Sequence, residues 1–290
     1  MELRVLKYFV TIAREQNISA AAQRLHLSQP TLSRQIKDME EKFGKQLFVR
    51  GSRKITLTQE GMILRKRAEE ILNLVEKTEN EIIFSDNIIA GDIYIGTGET
   101  ESIRFIAKIA KELNDQYPNI HYHIISGDSV DIIEKLDTGL IDFAILFAPV
   151  DISKYHYIRL PLKDNWGVLM RKDAPLAYKE SITPEDLWDK RLIVSRQAIK
   201  GTELTTWLGK DATQLNIVAS YNLLYNASLM AEEGLGYVLC LDGIINVTDT
   251  NLCFKPLKPK LEVGMSIVFK KYHFFSKALE IFLEKLKSTL

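Results

Sequence analysis

The sequence predicts an α+β multidomain chain: a small helical module closed by a β-hairpin, one long helix, and then two α/β subdomains. Three observations predict it. At about 150 residues per domain, 290 residues leave room for two domains with ample cores. The apolar period changes along the chain, from helical stripes as far as residue 90 to short apolar runs alternating with amphipathic helices beyond it. Charge is also unevenly split: residues 1–60 hold 11 Lys and Arg against 6 Asp and Glu, while the rest holds 27 against 32, so the net charge of zero conceals a basic first segment.

That asymmetry points to a polyanion partner for the first part only. Hydrophobic content of 46% with 26% charged residues excludes a disordered chain, and no apolar run approaches the roughly 18 residues of a membrane span, so no membrane partner is expected. The opening "MELRVLKYFVTIAREQ" puts charges where a signal peptide needs an apolar stretch, which reads as cytoplasmic. Cys240 and Cys253 make no metal spacing and suit a reducing compartment.

Leu3, Leu6, Phe9, Val10 and Ala13 form one face of a first helix. "NISAAAQRLHL" gives a short second helix, with Ser19 as its N-cap and three alanines that let another helix cross closely. The turn "HLS" leads into a third helix whose stripe is Leu32, Ile36, Met39 and Phe43. Opposite that stripe lie Pro30, Arg34 and Lys37, with Gln29, Thr31 and Ser33 over the exposed first turn and a half. A small-residue helix, a three-residue turn and a helix with an exposed polar start make a helix-turn-helix. Its second helix is sized for the major groove, where Gln29, Thr31, Ser33 and Arg34 reach base edges and the helix start favours a phosphate.

In "KQLFVRGSRKITLTQEG", Leu47 and Val49 alternate, the chain breaks at Gly51-Ser52, and Ile55 and Leu57 resume: a hairpin, or wing, with a basic tip. Arg50, Arg53 and Lys54 there track phosphates. From Thr58, an N-cap, a long helix runs toward Ala90. Its Leu64, Ala68, Ile71, Val75 and Ile82 form a heptad seam interrupted at Thr78, suited to a dimer contact or to docking on the chain's own second domain. Gly91 reads as its C-terminal cap and a hinge.

The segment "ISAAAQRLHLSQPTLSRQIKDMEEKFGKQLFVRGSRKITLTQEG" resembles the winged helix-turn-helix of the LysR-type transcriptional regulators, through its helices, short turn, "LF-x-R" entry to the wing and "LT-x-x-G" start of the linker helix. The resemblance implies DNA contacts from Ser28, Gln29, Pro30, Thr31, Ser33, Arg34 and Lys37 on the helix, and from Arg50, Arg53 and Lys54 on the wing. Gly51-Ser52 replaces the longer side chains that family members often carry there, a departure confined to the wing tip. The organisation expected is a winged helix-turn-helix over 1–57, a linker and dimerisation helix over 58–90, and an effector-binding domain over 91–290.

Beyond residue 90, "GDIYIGTGE" reads as a strand, "SIRFIAKIAKELNDQYP" as a helix, "NIHYHIIS" as a strand, 129–138 as a helix ended by Gly139, and "IDFAILFA" as a strand. A second set follows: "WGVLM", the helix "TPEDLWDK" with Thr183 as N-cap, "RLIVS", "NIVAS", the helix of "NLLYNASLMAEEG", and "LGYVLCL". "MSIVF" and "SKALEIFLEKLKSTL" return to complete the first half. Strands alternating with helices imply parallel sheets. The phrases "YPNIHYHIISGDS", "LDTGLIDFAI" and "MAEEGLGYVLC" are similar to the effector-binding domain of the same family, itself of periplasmic-binding-protein-like type. That implies subdomain I at about 91–160 and 266–290, subdomain II at about 161–265, and two strands crossing between them.

Ligands of open parallel sheets settle at the carboxyl ends of strands. The candidates are Thr97, Gly98, Glu99 and Thr100, then Ser126 and Gly127, then Phe147, with Ser195, Arg196, Tyr221 and Asn222 from the other half. Hydroxyls and helix starts would suit a small carboxylate, with Arg196 as countercharge. Glu99 and Glu101 oppose that: they are either first-turn helix residues or a sign that the effector carries an amine or several hydroxyls. Thr100→Val is expected to abolish an effector response while operator binding survives.

An enzyme, or a metabolite-binding α/β protein without sequence-specific DNA binding, is the competing class, since fold alone settles nothing. No P-loop, G-x-S-x-G or dinucleotide fingerprint follows a strand, and His121 and His123 are only a weak metal spacing, so neither cofactor nor metal is expected. The resemblance implies operator DNA, a small-molecule effector, RNA polymerase if the protein activates, and a homodimer or a homotetramer of paired dimers.

Overall fold

The structure, a computed structural model, describes all residues except 52–53, 84–88, 148–153 and 272–274, and the side chains of Arg50 and Glu81. The chain divides into two compact units, Met1–Ile83 and Phe84–Leu290.

The first unit holds α1 (Leu3–Glu15), α2 (Ile18–Arg24), α3 (Gln29–Phe43), the antiparallel hairpin β1 (Phe48–Arg50) and β2 (Ile55–Leu57), and α4 (Gln59–Ile83). Leu6, Phe9, Ile12, Ala21, Leu32 and Ile36 are its near-inaccessible core. The N-cap of α2 is Asn17 rather than Ser19: the Asn17 side chain accepts the N–H of Ala20 at 3.0 Å, so the earlier of two good capping residues takes the role. Between α2 and α3, the N–H of Leu27 bonds to Ala22 O (2.9 Å) and that of His26 to Gln23 O (3.2 Å), with His26 left-handed at φ 54°. This is a Schellman ending built without glycine, and it sets the tight turn. Phe43, expected in the α3 stripe, is 42% exposed, because the last turn of α3 runs past the core before Gly44 ends it. In the hairpin Phe48 points inward, its ring 5.0 Å from that of Phe9, and Val49 faces solvent.

The Thr58 side chain accepts the N–H of Gly61 at 3.0 Å and caps α4. A Cβ on Gly61 would lie 2.1 Å from Leu47 O, so only glycine lets α4 start against the hairpin. Of the seam, Leu64, Ala68 and Ile71 pack into the first unit's own core and Ile82 is exposed. The first half of the seam therefore closes the module itself, a third use of a spacing that any helical partner satisfies.

The second unit is one continuous sheet with helices on its faces. Its elements are β3 (Gly91–Thr97), α5 (Ile103–Gln116), β4 (Ile120–Ser126), α6 (Ser129–Thr138), β5 (Phe143–Phe147), β6 (Tyr155–Arg171), β7 (Leu192–Ser195), α7 (Thr202–Leu208), β8 (Ile217–Tyr221), α8 (Leu224–Glu232), β9 (Tyr237–Leu241), β10 (Leu252–Pro256), β11 (Glu262–Lys270) and α9 (Lys277–Thr289). The order β4-β3-β5-β11-β6-β9-β7-β8, with β10 beside β6, contains two parallel patches, β4-β3-β5 and β9-β7-β8. The 17-residue β6 joins them: up to Asn165 it pairs with β11, and from Trp166 with β9. Gly91 is the first residue of β3 rather than a helix cap. "TPEDLWDK" forms only a three-residue 3-10 turn, Pro184–Asp186: the Thr183–Asp186 capping box is present (Thr183 N–H to Asp186, 3.1 Å), but the N–H groups of Leu187 and Lys190 bond three residues back, to Pro184 O (3.0 Å) and Leu187 O (3.1 Å), and no α-helical turn propagates. Among the described residues, no helix is long and apolar enough to cross a membrane.

Candidate functional site

Two surfaces carry the sequence-derived candidates. On the first unit, Ser28 caps α3: its hydroxyl accepts the Thr31 N–H at 3.3 Å and lies 2.7 Å from the Thr31 hydroxyl. Gln29, Pro30, Thr31, Arg34 and Lys37 are exposed on α3 and Ser33 is half-buried. Lys37 pairs with Glu41 at 3.3 Å, whereas Arg34 has no ion-pair partner among the described residues. Arg34 therefore keeps all its donors for another molecule. Lys54 is exposed at the hairpin; Arg53 and the Arg50 side chain lie outside the described residues. Glu40, on the same helix, takes the N–H groups of Leu47 (2.7 Å) and Phe48 (3.2 Å) and so ties the hairpin to α3.

On the second unit, a cavity of about 220 Å³ opens at the strand ends. Gly98, Glu99, Gly127, Phe147, Ser195, Tyr221 and Asn222 all line it. A Cβ on Gly98 would lie 2.8 Å from the Phe147 ring, so glycine there lets that ring form the wall. The Tyr221 hydroxyl donates to Leu239 O at 2.7 Å, which leaves its ring to the cavity, and burial pushes its phenol well up.

Four candidates lie elsewhere. Thr97 is buried, its hydroxyl donating to Gly98 O at 2.8 Å, and Ser126 is on an exposed edge. Thr100 is buried and donates to the buried Asp164, which also accepts from Ser102 Oγ at 2.9 Å. Thr100→Val should thus lower the stability of the second unit by about 1–3 kcal/mol, the cost of unmaking a hydrogen bond to a buried charge, with no direct effect on ligand. Thermal unfolding followed by tryptophan fluorescence checks this. Arg196 bonds Asp128 at 2.5 Å and is half exposed rather than a countercharge on the wall. Burial would raise the Asp128 carboxyl, but Arg196 and the Asp131 N–H outweigh it and hold it below its ordinary value. The contact is therefore complete at neutral pH and is lost as pH falls through that lowered value.

Sequence reasoning missed Asp128, Trp166, Gln197, Glu203, Leu224 and Val263 as lining residues. Trp166 and Val263 come from the crossing strands rather than strand ends. Gln197 also spans the mouth, accepting the Ser129 N–H at 3.0 Å. Glu99 and Glu101 separate in role. The helix they were expected to start begins only at Ile103; Glu101 pairs with Arg104, while the Glu99 carboxylate accepts the Leu224 N–H at the start of α8. Among the described residues no group of three or more His, Cys, Asp or Glu is placed to hold a metal, and His123 is engaged by Asp92 at 2.9 Å.

A helix-turn-helix with an unspent arginine on its second helix, followed in one chain by a two-lobed α/β receptor with a cavity at its strand ends, defines a DNA-binding regulator. Residues 3–62 match the model for the bacterial regulatory helix-turn-helix proteins of the lysR family, and residues 88–290 match the LysR substrate binding domain. The chain belongs to the LysR family: it is a LysR-type DNA-binding transcriptional regulator with an effector-binding domain, not an enzyme. It is 30% identical over 240 residues to the HTH-type transcriptional regulator YvbU of Bacillus subtilis, covering 82% of this chain and 81% of that one. It is 28% identical over 278 residues to the Hca operon transcriptional activator HcaR of Escherichia coli, covering 93% and 92%. Its fold matches the crystal structure of CbnR, a LysR family transcriptional regulator, with TM-score 0.78 at 18% identity over 100% of this chain and 99% of that one.

Proposed function

We propose that α3 enters the major groove of an operator, with Ser28, Gln29, Pro30, Thr31, Ser33, Arg34 and Lys37 on the DNA side and Arg50, Arg53 and Lys54 on flanking phosphates. The observation that carries this is the exposure of Arg34, without an ion-pair partner among the described residues, one turn into a helix whose start is capped and open. A small molecule in the cavity of the second unit sets the spacing of paired DNA-binding heads by favouring one arrangement of the two α/β lobes. The working form is a homodimer or a homotetramer in the cytoplasm, which implies a roughly palindromic site. If the protein activates, RNA polymerase is a further partner.

The relatives include hydrogen peroxide-inducible genes activators, 30% identical over 67% of this chain. The two thiols of this chain do not have the character that such sensing needs. Peroxide-reactive thiols are accessible and readily ionised, whereas Cys240 is buried and burial pushes both thiols up.

Selection of random duplex DNA by the purified protein tests the proposal. The wild type is expected to enrich a dyad. Arg34→Ala should lose the sequence preference with about 1–3 kcal/mol of specific affinity, while Lys54→Ala weakens all DNA alike and lowers the salt slope by about one unit. Equal loss on specific and random DNA for Arg34→Ala would remove its assigned role.

A further inference from the structure

We propose that the ligand of the cavity is a small organic cation, an amine or guanidine on an apolar body about the size of one aromatic ring. This rests on the effector reading above and names the chemical class that the same cavity takes.

The natural place for an anion here is the start of α8, since its N-cap residue Leu223 offers no side-chain cap. The chain fills that place itself: Glu99, from the other lobe, puts its carboxylate on the Leu224 N–H. The nearby guanidinium of Arg196 is committed to Asp128 and is not on the wall. What lines the cavity is acidic: Glu99, Asp128 and Glu203, with no Lys or Arg among the described residues. Charges a few ångströms apart in a partly desolvated cavity interact far more strongly than in water, so a second carboxylate beside Glu99 is repelled and an ammonium is held.

Asp128 is already engaged by Arg196 and by the N–H of Asp131 (3.1 Å). Glu99 and Glu203 remain. A carboxylate offers about four acceptor positions, so Glu99 can hold Leu224 and an ammonium together. Phe147, Trp166 and Tyr221 supply apolar wall and ring faces, which also attract a cation. A cavity of roughly 150 Å³ accommodates benzene; about 220 Å³ therefore takes a ring and a short arm.

The test is titration of the full chain with 2-phenylethylamine, phenylacetate and 2-phenylethanol, read by calorimetry and by the shift in unfolding temperature, for wild type, Glu99→Gln and Glu203→Gln. The amine is expected to bind the wild type at least about tenfold more tightly than the alcohol, the gain of one charge-assisted hydrogen bond, and phenylacetate is expected not to bind. Glu99→Gln should weaken the amine at least tenfold. Because Glu99 also supports α8, the exposed rim variant Glu203→Gln, expected to weaken the amine about threefold, gives a second arm that does not depend on that support. Phenylacetate binding, above all if Glu99→Gln strengthens it, would overturn the inference and make Glu99 a stand-in for an anionic ligand. Equal binding of amine and alcohol, or no binding by any probe, would also overturn it. None of these failures touches operator enrichment by the wild type, which alone decides the regulator reading.

Discussion

Glu40→Ala is expected to lower the stability of the first unit by about 3 kcal/mol and to abolish operator binding, although Glu40 need not touch DNA. One carboxylate oxygen of Glu40 serves two N–H groups, those of Leu47 and Phe48, at the point where the chain leaves α3 for the hairpin. Both residues are buried, so the N–H groups it leaves have little water to turn to. Hydrogen bonds to a charged group contribute about 1.5–3 kcal/mol each, and two that share an acceptor fall short of additive. Leu47 also braces the start of α4: its carbonyl accepts the Thr58 N–H at 3.0 Å and lies against Gly61. Loosening Leu47 thus frees the hairpin and the base of α4 together. The three tryptophans, Trp166, Trp188 and Trp207, all lie in the second unit. The variant should therefore lower the midpoint of the far-UV dichroism transition and leave the tryptophan fluorescence transition where it was. Glu40→Gln, which keeps an acceptor without the charge, should recover about half of the loss. An unchanged dichroism midpoint would show that the hairpin is held by packing alone.

The contrast between Glu40 and its helix shows what is legible in a sequence. Leu32, Ile36 and Met39, the Ser28 cap and the Gly44 ending are local, and helical period and cap chemistry specify them within a few residues. Parallel strands alternating with helices are equally plain, since β3, β4, β5, β7 and β8 are short apolar runs between turn residues. Pairings between distant residues are not legible. Glu99 reaches Leu224 across 125 residues and Thr100 reaches Asp164 across 64. Glu99 therefore looks like a first-turn helix residue until the two lobes face each other, and Thr100 looks like a ligand contact until its buried carboxylate partner is in place. The half of the cavity wall built from strand ends follows from topology; the half built from the crossing strands, Trp166 and Val263, needs their register. Asn17 and Ser19 are a subtler case, two competent caps two residues apart, which only backbone geometry separates.

Phe282→Ala should lower the stability of the second unit by about 3–5 kcal/mol. Phe282 is fully buried on α9, its ring 5.4 Å from Phe143 and 6.0 Å from Tyr122, and truncation leaves a void among side chains already fixed by their strands. Ala278, Leu279, Leu283 and Leu286 complete the same buried face, over Ile93 and Ile95 of β3. Those strands deliver Gly98 and Phe147 to the cavity, so the C-terminal helix supports a wall it does not touch. The variant is expected to lower the midpoint of the tryptophan fluorescence transition, the reverse of the Glu40→Ala pattern, with the first unit's transition retained. Phe282→Leu, which refills part of the volume, should recover roughly half. If the dichroism of the second unit falls while its tryptophan signal holds, the two lobes unfold separately: the tryptophans lie on or beyond Trp166, in the lobe built on β9, β7 and β8, whereas Phe282 packs in the other. The joint transition is the expected one, because β6 and β11 run as paired strands through the junction and neither lobe's sheet can fray there without exposing the other's edge.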